Sequence, residues 1–481
     1  VGYAEVTGEE RFLHIMERYI KWFMDRIGPN KNQLHIYPGH PELELALYKL
    51  YQYTGNNQYL EFMKYILMER GKQPSFLLKD TGYGEQYHDK WFALEYHQAH
   101  KPILEQTEAV GHAVRAMYLY SGMADLAKTL DDETLFKTLK VLWADVTTKK
   151  MYITGAIGSD EHGEGFSIAY DLPNDRAYAE TCASIGLFMW ARRMLKLELN
   201  SDYADVMELA LYNGISSGMS EDGKQYFYVN PLEVNPAKVH QRYDLKHVRS
   251  SRVTWFGCAC CPPNVARILT SLEKYSYDIS DDSNSIAIHL YLCGQIIMSD
   301  DSVWNIKGKY LTDGKIEITY SGEEKDFTLR LRNPGWSTAC EIRINGLRIK
   351  AESEQGYFYI LRKWKNGDTV QLKFGITAQL VYANTYVEDD AGKVAVMRGP
   401  VVFCLEEADN GKNLSELMIG TIESHCENSV ILNGYREHTM DSIALYSTNP
   451  PSIEETTIKA IPYSHWGNTG EGEMKVWVRK V

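Results

Sequence analysis

Cysteine is scarce: eight residues in 481, too few and too unevenly placed for a disulfide framework. A reducing compartment, the cytoplasm, is therefore the expected location. No secretory signal is visible at the start, and the chain opens on Val1 rather than Met, so a preceding segment is expected. Positive charge is also short. Lys and Arg number 51 against 64 Asp and Glu, a net charge of −13, which argues against nucleic acid or an anionic membrane as the main partner. Apolar runs long enough to cross a bilayer are absent. What remains is ordinary for a globular protein, with 44% hydrophobic and 24% charged residues and enough length for two or three domains. Tyrosines number 33, tryptophans 10 and phenylalanines 14, which suits sugar stacking and plain packing alike.

The first half has helical periodicity. Phe12, Ile15, Met16, Tyr19, Ile20 and Phe23 predict a helix over 9–27, and Leu43, Leu45, Ala46, Leu47, Leu50 and Tyr51 another over 41–54. Further helices are expected over 58–70, 102–120 with Ser121-Gly122 as the stop, 133–147, 176–197, 203–213 and 262–274. Residues 74–100 look irregular, rich in aromatics and histidine, and suited to a loop over a site. Helix–turn–helix units recur at Tyr53-Thr54-Gly55, Tyr120-Ser121-Gly122 and Leu199-Asn200-Ser201, the pattern of stacked hairpins. The expectation is a multidomain α and β protein. An α/α toroid of the six-hairpin (α/α)6 type comes first, incomplete at the N-terminus because about nine helices are readable where twelve are needed.

From Ser285 the period becomes two, as in Ile286-Ala287-Ile288-His289-Leu290-Tyr291 and Phe327-Thr328-Leu329-Arg330-Leu331-Arg332. Asn345-Gly346 between alternating runs signals a two-residue hairpin, and Asp313-Gly314 and Asn366-Gly367 add to it. A β-sandwich is expected. Residues 408–430 read as a polar linker or insertion, with strands resuming at 458–462 and 474–479. The expected domains are the toroid over 1–280, a β-sandwich over 281–407, and over 408–481 a second sandwich or a continuation of the first.

Chemistry concentrates in Gly257-Cys258-Ala259-Cys260-Cys261-Pro262-Pro263-Asn264. Neighbouring cysteines seldom reach disulfide geometry, whereas paired thiolates suit a soft metal. With Glu180 and Cys182 upstream they make a four-ligand set of sulfur and oxygen donors that Zn²⁺ accepts. The spacing is not that of a zinc finger or ribbon, and buried cysteines also serve as small apolar residues. Glu180 and Cys182 lie at one helix start and Cys260 and Cys261 at another, positions that favour negative ligands. Cys258 has no assigned role beyond packing, though it could compete for a metal. Glu164, in Gly163-Glu164-Gly165-Phe166, is the carboxylate that a loop can best aim into a cleft, or else a solvated loop glutamate. His40, His112 and Tyr228 are each candidates for a ligand contact or for packing.

Several motifs, in order, resemble glycoside hydrolase family 127, the β-L-arabinofuranosidase family. They are Gln106-Thr107-Glu108-Ala109-Val110-Gly111-His112-Ala113, Thr154-Gly155-Ala156-Ile157-Gly158, Tyr170-Asp171-Leu172-Pro173-Asn174, Ala179-Glu180-Thr181-Cys182-Ala183-Ser184 and Cys260-Cys261-Pro262-Pro263-Asn264. The resemblance covers about residues 35–300, and Ile461-Pro462-Tyr463 and Trp466-Gly467-Asn468 are similar to the family's end. It implies a retaining glycosidase acting on an oligosaccharide or glycan with a terminal β-L-arabinofuranosyl or related furanosyl unit. Zn²⁺ would be held by Glu180, Cys182, Cys260 and Cys261. Cys260 would be the nucleophile, Glu164 the general acid/base, and His40, His112 and Tyr228 the sugar contacts. A homodimer is compatible with this reading. The alternatives are a carbohydrate-binding or scaffold protein with a structural zinc, and another sugar-active enzyme, a lyase or epimerase, on the same toroid.

Overall fold

Helix-forming periodicity gives way to strand periodicity near residue 277, and the computed structural model follows that change. It describes residues 1–78, 94–438 and 445–481. Much of the irregular stretch expected over a site, residues 79–93, lies outside the described residues. The chain forms two compact units: 1–151 with 157–171, and 152–156 with 172–481. Among the described residues no helix is long and apolar enough to cross a membrane.

The first unit is helical, with Arg11–Arg26, Glu42–Thr54, Asn57–Glu69, Ala113–Leu130 and Glu133–Asp145 as its main elements. Asn56 caps one helix by accepting from Gln58 N, and Asp132 caps another by accepting from Thr134 N and Leu135 N. The Ala113–Leu130 helix is buried on nearly every side, among Leu47, Met63, Ile66, Leu139 and Leu142.

That helix corrects the sequence expectation at both ends. Residues 102–112 are extended apart from a single turn at Ile103–Glu105, and the helix continues through Ser121-Gly122 to stop at Asp131, which adopts φ 53°. Gly122 is there for packing: a Cβ on it would lie 3.1 Å from Cβ of Glu44. Glycine mid-helix thus reflects a close helix crossing, not a terminus.

In the second unit, helices Thr181–Leu197, Ser201–Leu209 and Cys261–Leu269 precede the sheets. A six-stranded sheet, which includes Val303–Lys309, Lys315–Ser321 and Thr369–Phe374, and a five-stranded sheet, which includes Lys325–Arg332 and Tyr357–Trp364, bury alternate residues in one core. Trp304, Ile318, Leu329, Trp364 and Leu372 lie in it. Cys340–Ile344 and Leu347–Ile349 pair through the Asn345-Gly346 turn, with both turn residues at positive φ, 50° and 80°. Asn366-Gly367 instead connects strands of different sheets, so it is no hairpin.

A nine-stranded sheet takes most of its strands from residues 378–480 and one, Glu233–Val234, from the helical part. Residues 408–430 are not a linker: Leu417–His425 is a strand within this sheet. Register shifts between Ile419 and Thr421 and between Ile422 and Ser424 break its alternation, and its second half is largely exposed, which made it read as polar.

Candidate active site

In the second unit, two helix starts bring four donor atoms together. Glu180 is the N-cap of the Thr181–Leu197 helix, and its backbone oxygen accepts from Ala183 N at 2.9 Å and Ser184 N at 3.2 Å. A bridge between Glu180 and Val229, with Thr181 N donating to Tyr228 O at 2.9 Å, fixes the approach to that helix. Cys182 follows in its first turn. Cys260 is the N-cap of the Cys261–Leu269 helix, and Pro262 and Pro263 occupy first-turn positions where a missing N–H costs nothing.

The ligating atoms of Glu180, Cys182, Cys260 and Cys261 all lie within 4.8 Å of one another. Cys182 Sγ is 3.5 Å from Cys261 Sγ, and Cys260 Sγ is 3.7 Å from Cys261 Sγ. Glu180 Oε1 lies 3.5 Å from Cys260 Sγ and 3.8 Å from Cys261 Sγ. A tetrahedral zinc with bonds of about 2.3 Å to sulfur and about 2.1 Å to oxygen would space its ligands about 3.8 Å sulfur to sulfur and about 3.6 Å sulfur to oxygen. The set therefore fits that ion in donor type, number and spacing. Glu180, Cys182 and Cys261 are buried, and Cys260 is half-buried.

Four acidic groups this close cannot all ionise on their own, because like charges at this range oppose one another. The protons are distributed unevenly. Cys260 is drawn well below the ordinary thiol range, foremost by the hydrogen bond from Cys182, then by Cys261, with Tyr228 and Glu180 adding to it against the effect of burial. Cys182 and Cys261 are pushed up: Cys182 foremost by its bond to Cys260, Cys261 by its bonds to Cys182 and Cys260. Of the three thiols, Cys260 is thus the one drawn toward the thiolate, at the start of a helix that favours it.

Tyr228 was expected as a ligand contact. Its hydroxyl hydrogen-bonds toward the Cys260 sulfur and helps to draw that thiol down. Its ring packs edge-on against Phe256, with centroids 5.6 Å apart, and lies 6.0 Å from that of Tyr178. The aromatic Tyr226-Phe227-Tyr228 run was legible, but nothing in its spacing pointed to the thiol. Cys258 is exposed and stands outside the four-donor cluster, so the packing role expected for it does not hold.

In the first unit, Glu164 lies in a tight loop at φ 52°, a left-handed conformation uncommon outside glycine. Its amide donates to Glu161 O at 3.1 Å and its carbonyl accepts from Ala113 N at 3.0 Å. The adjoining bridge pairs His112 with Gly165 and Gly111 with Phe166. This pairing sets His112 Nε2 3.3 Å from Glu164 Oε2. The fold thus fixes the backbone of Glu164 and brings its half-exposed carboxylate to His112. His112 is buried at the start of the Ala113–Leu130 helix, where Gln98 Nε2 donates to its backbone oxygen at 3.2 Å. His40 accepts at Nδ1 from Glu42 N at 3.3 Å, so it helps to start the Glu42–Thr54 helix, and its ring lies 5.5 Å from that of Tyr118.

Comparisons with known proteins point one way. The family description "Beta-L-arabinofuranosidase, GH127 catalytic domain" matches residues 1–274, the GH127 middle domain residues 285–376, and the glycoside hydrolase family 127 C-terminal domain residues 378–479. The chain is 38% identical over 507 residues to the non-reducing end beta-L-arabinofuranosidase of Bifidobacterium longum subsp. longum, covering 100% of this chain and 77% of that protein. Among solved structures, a GH127 beta-L-arabinofuranosidase from Geobacillus stearothermophilus T6 is 43% identical with a TM-score of 0.94, covering 100% of this chain and 78% of that one. A second GH127 beta-arabinofuranosidase is 34% identical with a TM-score of 0.86, covering 99% of this chain and 74% of its own.

Proposed function

This chain belongs to glycoside hydrolase family 127, and we propose that it is a retaining glycosidase that removes β-L-arabinofuranosyl units from the non-reducing end of a glycan. Cys260 is the nucleophile, Glu164 the general acid/base, and His40, His112 and Tyr228 lie along the sugar's surroundings. The observation that carries this reading is the four-donor cluster of Glu180, Cys182, Cys260 and Cys261, within which the Cys260 thiol is drawn below its ordinary range.

Glu180, Cys182, Cys260 and Cys261 would hold Zn²⁺, which when bound keeps the Cys260 sulfur deprotonated near neutral pH. The thiolate then attacks the anomeric carbon. The sulfur–carbon bond forms as the carbon–oxygen bond breaks, and Glu164 gives its proton to the departing oxygen. A thioglycoside on Cys260 results. Glu164, now a carboxylate, takes a proton from water as the water's oxygen displaces the sulfur. Two inversions leave the configuration unchanged. His112, 3.3 Å from the Glu164 carboxylate, orients the group that makes both proton transfers. Tyr228 donates to the sulfur and steadies it when it departs as thiolate.

The same reading retains the α/α toroid over 1–280, the β-sandwich over 281–407 and the further β portion over 408–481. Eight cysteines outside any disulfide, five of them exposed or half-buried, suit a reducing cytoplasm.

The test is hydrolysis of a synthetic β-L-arabinofuranoside under reducing conditions with zinc added, with the anomer first released read by NMR. Retention is expected, and Cys260→Ser and Glu164→Gln should each lower kcat by about 10³-fold or more, the scale of losing a nucleophile or an acid/base. A fully active Cys260→Ser enzyme, or an inverted product, would remove the thiolate from the mechanism.

A further inference from the structure

We propose that Asn230 is the positioning residue that keeps the Glu180 carboxylate at the ion, and that it does so by gripping the backbone on both sides of Glu180. This role rests on the zinc site proposed above.

Glu180 stands where shorter side chains are the rule. At a helix N-cap the favoured residues are Ser, Thr, Asp and Asn, whose side chains fold back onto the first-turn amides. The Glu180 side chain makes no such cap bond. It extends instead to the thiols, with Oε1 3.5 Å from Cys260 Sγ and 3.8 Å from Cys261 Sγ. A carboxylate on a flexible stem is only as well placed as the backbone that launches it, so the chain direction at 180 decides whether it meets an ion.

That direction is set by an unfavourable conformation. Ala179 is fully buried and lies at φ 40°, in the left-handed region that a residue with a Cβ seldom adopts. Such a residue stays there only where its surroundings hold it. Asn230 supplies the hold. Its Nδ2 donates to Ala179 O at 3.0 Å and to Thr181 Oγ1 at 2.9 Å, and its backbone N donates to Ala179 O at 3.3 Å. One side chain thus grasps the residue before Glu180 and the residue after it.

The brace is itself braced. Asn230 is wholly buried, a costly place for an amide unless its bonds are made. A carbonyl oxygen can only accept, so the amide nitrogen faces Ala179 and the orientation of the amide is fixed. Ser217 Oγ donates to its Oδ1 at 2.9 Å. Ser217 is tied in turn by the buried Arg252 guanidinium, whose Nε and Nη2 donate to Ser217 O at 3.1 and 2.9 Å. Thr181 Oγ1 donates onward to Phe227 O at 2.9 Å. Gly218 leaves the room this needs, since a Cβ on it would lie 2.6 Å from Thr181 Cγ2.

The test is the zinc affinity of the folded protein, measured by competition with a chromophoric chelator under reducing conditions. Asn230→Ala should weaken zinc binding about tenfold or more, the scale of losing the support of a metal ligand. Glu180→Ala, which leaves three thiolates, gives the comparison. In that background Asn230→Ala should change the zinc Kd by less than about twofold, because the ligand through which it acts is gone. An asparagine that merely supports the fold would cost the same in both backgrounds. That result, or an unchanged Kd in Asn230→Ala alone, would overturn the proposal. Where Asn230→Ala does not fold, Ser217→Ala takes its place in the same cycle. About fivefold weaker binding is then expected, the scale of one neutral hydrogen bond, and an unchanged Kd overturns the role. A wild-type chain that binds no zinc would overturn the zinc site and this role together, whereas a zinc-binding wild type with an insensitive variant overturns this role alone.

Discussion

Asp390 shows how a single carboxyl outside the four-donor cluster bears on the stability of this enzyme. It is buried, and Asn174 Nδ2 donates to its Oδ1 at 2.7 Å. Burial raises it from 3.8 to about 6, with the Asn174 bond and Lys393 opposing. Between those values the folded chain holds a proton that the unfolded chain has lost. Its contribution to stability is therefore full below about pH 4 and disappears as pH rises through 6. Asp390→Asn keeps an oxygen for Asn174 and removes the titration. The variant's Tm relative to wild type should climb between pH 4 and pH 7, a difference that scanning calorimetry at several pH values reads directly; a flat difference would show that Asp390 does not titrate in this range. Other residues were open to sequence reading in unequal measure. Cys260, Cys261 and Glu180 announce themselves because acidic and soft side chains crowd at helix starts. The hydroxyl of Tyr228 does not, because a hydrogen bond to a sulfur 32 positions away in sequence leaves no local pattern.

At the scale of elements, the short strand pairing that carries His112 and adjoins Glu164 depends on Gly111. Its φ is 68°, and a Cβ there would come within 2.0 Å of the Glu95 carbonyl oxygen. Gly111→Ala combines left-handed backbone with a collision against main chain, which has no rotamer to escape into. A loss of about 2 kcal/mol or more is expected, with activity falling alongside as Glu164 shifts. Denaturant titration checks the first and kcat the second; a variant of wild-type stability would mean that the backbone relaxes freely. The same contacts explain which elements were legible. The Glu42–Thr54 and Asn57–Glu69 helices end within a residue or so of their predicted limits because caps and Gly55 mark them locally. The Ala113–Leu130 helix was misjudged because its glycine answers to Glu44 on another helix. The Leu417–His425 strand was missed because its register shifts erase the period of two. Local chemistry was readable, and long-range partners were not.

For the whole molecule, the four-donor cluster links ion binding to folding. Donors from Glu180, Cys182, Cys260 and Cys261 come together only in the native fold, so an ion held there stabilises that fold by mass action. Dialysis against a strong chelator should lower Tm, and stoichiometric zinc should restore both Tm and activity. With free zinc at about 1,000 times its Kd, the gain is about 4 kcal/mol. Elemental analysis of the purified enzyme should return one zinc per chain. An unchanged Tm after complete stripping would mean that the thiols are held by the helices alone.

Cys182 and Cys261 stand 79 positions apart in sequence yet face each other across 3.5 Å. Neither segment offers more than two donors, so a partly synthesised chain has only a weak grip on any ion. Tight capture becomes available late, once both segments have docked. The moment of uptake would thus serve as a clock for maturation, and a spectroscopically visible surrogate such as cobalt should colour the refolding protein only after its secondary structure has returned.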